Sequence, residues 1–221
     1  MTAIAADRAL ASALDAGLGA MGLDPDAGVR TRLLGYLELL DKWNRVYNLT
    51  AIREPAKMLT HHLLDSLSIL PALDARLPDG PVRVLDVGSG AGLPGVPIAL
   101  ARPDWQVDML EPVHKKATFI AQALAELRIA NALAHAVRVE DHHAAPYTIV
   151  VSRAFADVAS FAASAARHVA RNGRLLAMKG VYPHEELQEL DERMQVEAVM
   201  PVQVPGVEAA RHLVFARPVA A

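Results

Sequence analysis

Apolar positions along this chain follow two rhythms that meet near residue 80. Before it, Leu33, Tyr36, Leu37, Leu40, Trp43 and Tyr47 recur at steps of three and four, as do Leu59, Leu63, Leu67 and Leu70. That spacing lines one face of a 3.6-residue turn and predicts two amphipathic helices. Pro55 suits the first turn of the second helix, where a missing N–H costs nothing. A weaker helical pattern spans residues 4 to 20 and stops around Gly17 to Gly22. The cluster Leu77-Pro78-Asp79-Gly80-Pro81 then predicts a turn, because neither a helix interior nor a central strand tolerates it.

After the turn, short β-branched runs alternate with helical stretches. Strands are predicted at Val82 to Val87, Gln106 to Leu110, Ala132 to Val137, Tyr147 to Val151, Arg174 to Met178, Val196 to Val202 and Leu213 to Ala216. Helices are predicted at Pro94 to Ala101, Val113 to Leu127, Val158 to Val169 and His184 to Asp191. Alternation of this kind specifies an α/β fold, a seven-stranded, mostly parallel, doubly wound sheet with crossover helices. The expected organisation is an N-terminal helical extension over residues 1–80 and a sheet domain over 81–221. No internal repeat or low-complexity tract interrupts it.

Composition narrows the function classes. The chain has 221 residues and 52% apolar content, enough for a core of ordinary size and too much for a disordered protein. With 22 basic and 25 acidic residues the net charge is -3, so contact with a polyanion must rely on a local patch. There is no cysteine, which excludes disulfides, Cys-based metal sites and thiolate nucleophiles. No secretory signal and no run of eighteen apolar residues is visible. The expectation is a soluble cytoplasmic protein.

The strongest chemical signal follows the first predicted strand. Val84-Leu85-Asp86-Val87-Gly88-Ser89-Gly90-Ala91-Gly92-Leu93-Pro94-Gly95 sets an acid at a strand end, glycines at alternate positions, and a helix start. Backbone without side chains lets a ligand lie against such a turn. Nineteen residues after Gly92, Glu111 follows the strand that ends at Leu110, where a carboxylate can accept from both ribose hydroxyls. Together these describe an adenosine site. A dinucleotide fingerprint would need a third glycine where Leu93 stands, and that bulk opposes a pyrophosphate on the helix N-terminus. Asp-x-Gly-x-Gly-x-Gly instead resembles the first motif of S-adenosylmethionine-dependent methyltransferases, whose cationic ligand suits the acidic Asp86.

Flanking strings extend the pattern: Asn48-Leu49-Thr50, His62 with Asp65-Ser66, Lys115-Lys116, Arg138-Val139-Glu140, Ser152-Arg153-Ala154-Phe155-Ala156, Lys179-Gly180 and Arg211-His212-Leu213-Val214. In this order they resemble the bacterial 16S rRNA (guanine-N7)-methyltransferases, also called glucose-inhibited division protein B, from about residue 33 to 217. The resemblance implies a Rossmann-like methyltransferase fold, S-adenosylmethionine as cofactor, and methyl transfer to N7 of a guanine in 16S rRNA, at the position usually numbered 527. It implies donor contacts at Gly88, Leu93, Val139, Glu140 and Arg153, with Asp86, Gly90 and Gly92 shaping the pocket and Glu111 taking the ribose. Arg153 is the expected catalytic residue, between donor and acceptor. Two positions depart from the family: His61 replaces an Arg at an expected phosphate contact, and Thr148 replaces an Asp expected near the methyl donor.

A ring-nitrogen acceptor agrees with the composition. Guanine N7 carries an in-plane lone pair and no proton, so alignment and exclusion of water suffice without a general base. Methylation at carbon 5 of a pyrimidine normally needs a cysteine, which is absent. Phe155 stands where a base-stacking aromatic would serve, and equally where a core aromatic would.

Three basic clusters are candidate phosphate contacts: Arg167, Arg171, Arg174 and Lys179; Lys42, Arg45, Arg53 and Lys57; and Lys115 with Lys116. From these, Lys115, Lys116, Arg174 and Lys179, with Phe155, are the expected substrate contacts. The partner is small-subunit ribosomal RNA or the 30S particle, with no membrane. The pairs His61-His62 and His142-His143 are adjacent and point apart, so no metal is expected, and the chain is expected to act as a monomer. His62 and Asp65 share a helix face and serve either to dock the helical part on the sheet or to face substrate. Two rival readings are a dinucleotide-dependent oxidoreductase and a binding module that keeps the pocket without catalysis.

Overall fold

Aspartates start the first two helices. Asp7 caps α1 (Arg8–Ala20) by accepting from the N–H groups of Ala9 and Leu10 at 2.8 and 3.3 Å, and Asp26 caps α2 (Ala27–Tyr47) by accepting from Val29 at 2.8 Å. The computed structural model describes residues 7–77, 80–153 and 155–219. The first turn expected from residue 4, Pro78 and Asp79 of the turn cluster, and Ala154 lie outside the described residues.

The second predicted helix does not run straight. Pro55 opens α3 (Pro55–Met58) as expected, but a π-helical segment, Leu59–Leu64, leads into α4 (Asp65–Leu67), and a turn separates this from α5 (Leu70–Asp74). Pro71 explains the break, because it has no N–H to continue the helical ladder. Repeats of three and four cannot reveal a wider π turn, which keeps leucines inward while shifting the polar residues between them.

Seven strands form one sheet in the order β3-β2-β1-β4-β5-β7-β6. They are β1 (Arg83–Val87), β2 (Gln106–Leu110), β3 (Ala132–His135), β4 (Tyr147–Ser152), β5 (Val169–Lys179), β6 (Met194–Pro201) and β7 (His212–Pro218). The five from β3 to β5 are parallel, and β7 runs antiparallel to both β5 and β6. Crossovers are α6 (Gly95–Ala101), α7 (His114–Glu126) and α8 (Val158–Ala165), with α9 (His184–Gln188) before β6.

The main boundary error is at β5, which begins at Val169 rather than Arg174 and shortens the helix predicted to reach Val169. Arg171, Asn172 and Gly173 look like loop residues. They are strand because β4 and β5 pair through a register shift, and a Cβ at Gly173 would sit 2.7 Å from the Tyr147 carbonyl oxygen.

Alternate strand residues bury on opposite faces. Val84, Ile149, Val151, Leu176 and Met178 join an apolar cluster that continues through α7 and α6 into α2 and α1, as far as Leu10. Leu85, Val87, Val150, Leu175 and Ala177 pack on the other face against Val158, Phe161 and Ala165 of α8. In the first layer Tyr36 and Trp43 of α2 sit 6.3 and 5.5 Å from the Phe119 ring of α7. Buried Tyr36 also donates its hydroxyl hydrogen to the Ala91 carbonyl at 2.7 Å, tying α2 to the glycine turn, and burial raises its phenol well above the ordinary range. Tyr36→Phe removes that bond and strands a buried carbonyl, so urea unfolding should report a loss of about 1 to 2 kcal/mol.

Candidate functional site

The turn after β1 lies where the strand order reverses between β1 and β4, at the carboxyl ends of the parallel strands. Open α/β sheets bind ligands in this crevice. Gly88, Gly90 and Gly92 have φ of 72°, 60° and 86°, so all three need the conformational freedom of glycine. Their surroundings differ. A Cβ at Gly92 would press on Val96 at 2.7 Å, whereas a Cβ at Gly88 or Gly90 would meet nothing within 4 Å. Gly92 therefore serves close packing, and the other two line open space.

Two buried carboxylates hold the turn. Asp86 Oδ2 accepts from the Gly95 N–H at 2.9 Å, closing the loop onto the start of α6. Its Oδ1 is buried without a partner, and burial pushes the carboxyl up to about 7 despite the Gly95 bond. Glu111, 4% exposed, receives the Gly90 N–H on Oε2 at 2.8 Å and the Val113 N–H on Oε1 at 2.9 Å. Each Glu111 oxygen is thus already engaged with backbone and has one further lone pair for a ligand hydroxyl.

Over the turn lies a cavity of about 190 Å³ lined by Leu49, Thr50, His62, Gly88, Ser89, Gly90, Ala91, Leu93, Lys116 and Arg153. Thr50 Oγ1 accepts from the Ile52 N–H at 3.2 Å and lies 2.8 Å from His62 Nε2, while His62 Nδ1 lies 3.0 Å from the His61 carbonyl. The carbonyl can only accept, so the proton belongs on Nδ1 and Nε2 accepts from threonine. Burial, with Arg153 beside it, lowers the His62 ring to about 4 and keeps it neutral at ordinary pH.

A second cavity, of about 370 Å³, meets the first at His62 and Arg153 and is otherwise lined by Ile52, His61, Asp65, Met178, Lys179, Gly180 and Arg211. Arg153 Nη1 donates to the His61 carbonyl at 3.0 Å and to Asp65 Oδ2 at 3.3 Å, and Arg211 Nε donates to Asp65 Oδ1 at 2.8 Å. Lys179 pairs with Glu186 at 2.9 Å.

The structure thus gathers Asp86, Gly88, Gly90, Leu93, Glu111, Lys116, Arg153 and Lys179 about two adjoining cavities. Other expected residues are not among those that line the two cavities. Val139 and Glu140 form a 3₁₀ turn, Val139–Asp141, beyond β3, where the buried Val139 and exposed Glu140 offer carbonyls to Arg167. Phe155 is half buried, its ring centroid 5.3 Å from Phe161 in the second core cluster. Lys115 donates to the Tyr47 carbonyl at 3.1 Å, at the end of α2.

Arg174 lies toward the amino ends of the parallel strands, in register with Ile149 and paired with Glu197 at 2.6 Å. Thr148 lies there too, accepting from the Arg83 N–H at 3.1 Å, so its departure from the family pattern falls away from the glycine turn. A strand's length separates these ends, and a contiguous stretch of sequence cannot show which side of it a residue reaches.

Two of the four cations in the Lys42 to Lys57 cluster are paired locally, Arg45 with Asp41 and Lys57 with Glu54, and Arg53 donates to Asn48. His62 and Asp65 do not bond each other; each binds a different element. Local spacing puts Tyr36 on an apolar helix face and gives no site role to it, to Thr50 or to Arg211, although Thr50 and Arg211 belong to the resembling strings. Among the described residues no group of three His, Asp or Glu could hold a metal ion, and no helix is long and apolar enough to cross a membrane.

Asp86 sets a pH test. A carboxyl raised from about 4 to about 7 on folding contributes stability that is full below the unfolded value and lost as pH rises through 7. His62 has the opposite sign, contributing above about 6.5 and losing its contribution as pH falls through about 4, and is common to both proteins compared. Asp86→Asn, which keeps the acceptor for Gly95, should therefore gain on wild type by roughly 2 to 4 kcal/mol between pH 4 and 8. Thermal unfolding across that range tests it; a difference independent of pH would show that no buried charge was removed.

Comparison with known proteins agrees with this geometry. The family model described as rRNA small subunit methyltransferase G matches residues 30–214. A protein of that name from Nitrosospira multiformis is 48% identical over 212 residues, spanning 92% of this chain and 95% of its own. Another, from Methylobacillus flagellatus, is 49% identical over 203 residues, spanning 91% and 95%. Among solved structures, TrmN from Thermus thermophilus superposes with a TM-score of 0.56 at 13% identity, over 72% of this chain and 53% of that one. A ribosomal protein L11 methylase from Lactobacillus delbrueckii subsp. bulgaricus gives 0.53 at 17%, over 70% and 77%. At such identities these two show the fold alone, an α/β, Rossmann-like methyltransferase fold. With nearly its whole length matched by the family model and by relatives at almost half identity, the chain belongs to the rRNA small subunit methyltransferase G family of S-adenosylmethionine-dependent methyltransferases.

Proposed function

We propose that this protein transfers a methyl group from S-adenosylmethionine to N7 of a guanine in 16S ribosomal RNA, at position 527 by family resemblance. The observation that carries the reading is the pair of adjoining cavities with His62 and Arg153 as their common wall, one over the glycine turn and one opening beside it. Group transfer needs two ligands meeting at one point, and this arrangement supplies it.

The residues present fit the donor. Gly88 and Gly90 leave space that a Cβ would fill, Asp86 keeps an unpartnered buried oxygen, and Glu111 retains lone pairs for ribose hydroxyls. Leu93 adds an apolar wall, Lys116 offers a cation to a carboxylate, and Arg153 stands between the donor and the second cavity. Val139 and Glu140, beyond the neighbouring strand β3, would take the adenine. Bound there, S-adenosylmethionine supplies an electrophilic methyl group on a sulfonium.

The chain's contribution is alignment and exclusion of water. No group in the shared wall has to act as a base, because guanine N7 attacks with a lone pair that carries no proton. His62 suits such a wall, since it is neutral, has both ring nitrogens engaged, and neither takes nor gives a proton near neutral pH. At the second cavity Arg153, Lys179 and Arg211 outnumber their carboxylate partners Asp65 and Glu186, and the remaining positive charge draws phosphate to this end of the sheet. The reading has the protein act as a monomer on the RNA or the 30S particle. Ring-nitrogen transfer calls for no Lewis acid, so the reading includes no metal.

Incubation with labelled donor and either naked 16S rRNA or 30S particles, followed by mapping of the modified base, tests the reading; label absent from guanine N7 would end it. Arg153→Ala should abolish methylation with the fold intact by circular dichroism. Gly88→Val places bulk in the donor cavity and should weaken S-adenosylhomocysteine binding by at least about tenfold in calorimetry, with NAD(H) unbound by either protein.

A further inference from the structure

We infer that the 370 Å³ cavity receives the target guanine, and that Asp65 is a positioning residue which sets Arg153 and Arg211 as a paired reader of the base's O6. The inference rests on the guanine-N7 reading above and names what selects guanine at that site.

Asp65 is 4% exposed and bonds two arginines that reach it from other parts of the chain, 88 and 146 residues away. It sits at the start of α4, just after the π-helical segment; Arg153 directly follows β4, and Arg211 directly precedes β7. One carboxylate thus holds two guanidiniums at one cavity. A buried ion pair is weak evidence for stability, since well-packed apolar groups do as well, so another use must account for it.

The count of free donors supplies that use. Arg153 commits Nη1 to the His61 carbonyl and Asp65, and Arg211 commits Nε to Asp65 and Nη1 to the Ala210 carbonyl. Arg153 Nε and Nη2 and Arg211 Nη2 have no partner among the described residues and remain to face a ligand. A purine that offers N7 to the neighbouring donor cavity also brings its C6 substituent to this wall. In guanine that group is a carbonyl, which accepts from guanidinium; in adenine it is an amino group, which donates and is refused. Arginine commonly takes O6 and N7 together. Here N7 must keep its lone pair, so the guanidinium contact belongs to O6 alone.

The test uses 30S particles assembled with 16S rRNA carrying guanine, inosine or 2-aminopurine at the methylated position. Inosine keeps O6 and lacks the 2-amino group; 2-aminopurine is the reverse. Wild type should methylate inosine within about threefold of guanine and 2-aminopurine about 10- to 100-fold less efficiently in kcat/KM. Asp65→Asn should lower guanine and inosine by about the same 10- to 100-fold, leave 2-aminopurine unmoved, and keep S-adenosylhomocysteine affinity within about twofold. Arg211→Lys, which keeps the charge and loses the fork, should compress the discrimination in the same way and serves if Asp65→Asn misfolds. A variant that slows all three substrates alike, or a wild type that accepts 2-aminopurine as well as guanine or rejects inosine, overturns the inference. No methyl on the guanine particle would overturn the functional reading itself, and this one with it.

Discussion

Two carboxylates buried at the ends of neighbouring parallel strands hold open the turn on which the site depends. Asp86 receives the Gly95 N–H and Glu111 receives those of Gly90 and Val113, so the glycine loop is pinned at its exit and at its middle. Glycines with positive φ have more unfolded freedom to lose than any other residue. Without those bonds the loop would have little reason to keep one shape. The cost is visible at Asp86, whose burial drives its carboxyl up to about 7 and leaves one oxygen unpartnered. A purely structural turn would avoid such a charge, and a cationic ligand gives it a purpose.

The helical N-terminal region is part of the same construction. Tyr36 of α2 supports the turn from behind through the Ala91 carbonyl, Thr50 and His62 line the cavity above it, and Asp65 holds the arginines at the far wall. These residues reach the sheet because α1, α2 and the segmented helix share one apolar cluster with Val84, Ile149 and Leu176. The π-helical segment carries His61 and His62 at the junction of the two cavities. Wider turns of this kind are common at functional sites, where they redirect side chains without breaking the helix.

Charge is arranged by place rather than amount. The net of -3 conceals a wall at the carboxyl ends of the strands where Arg153, Lys179 and Arg211 outnumber their partners Asp65 and Glu186. Arg171, Arg174 and Arg217 gather with Glu197 at the opposite end. Basic residues close in sequence, such as Arg174 and Lys179, are parted because β5 carries them along its length toward opposite ends of the strands. Several other cations, including Arg45, Lys57 and Arg167, are held by nearby carboxylates or carbonyls.

Sequence alone determined what depends on neighbours in the chain. The alternation of strands and helices, the short, almost continuously buried runs of β1 and β4, Pro55 at a helix start, and the Asp86-to-Gly95 turn are local patterns whose physics acts within a few residues. Tertiary structure decided the rest. β5 grew by five residues because β4 offered its backbone to a stretch that reads as loop, and Thr148 and Arg174 came to the end away from the turn. Glu111, expected to take ribose hydroxyls, also accepts two backbone N–H groups. Asp65 met Arg153 and Arg211 across 88 and 146 residues. Periodicity records which face of an element is apolar, but the pairing of buried charges is fixed only when separate elements dock, and no local spacing encodes that distance.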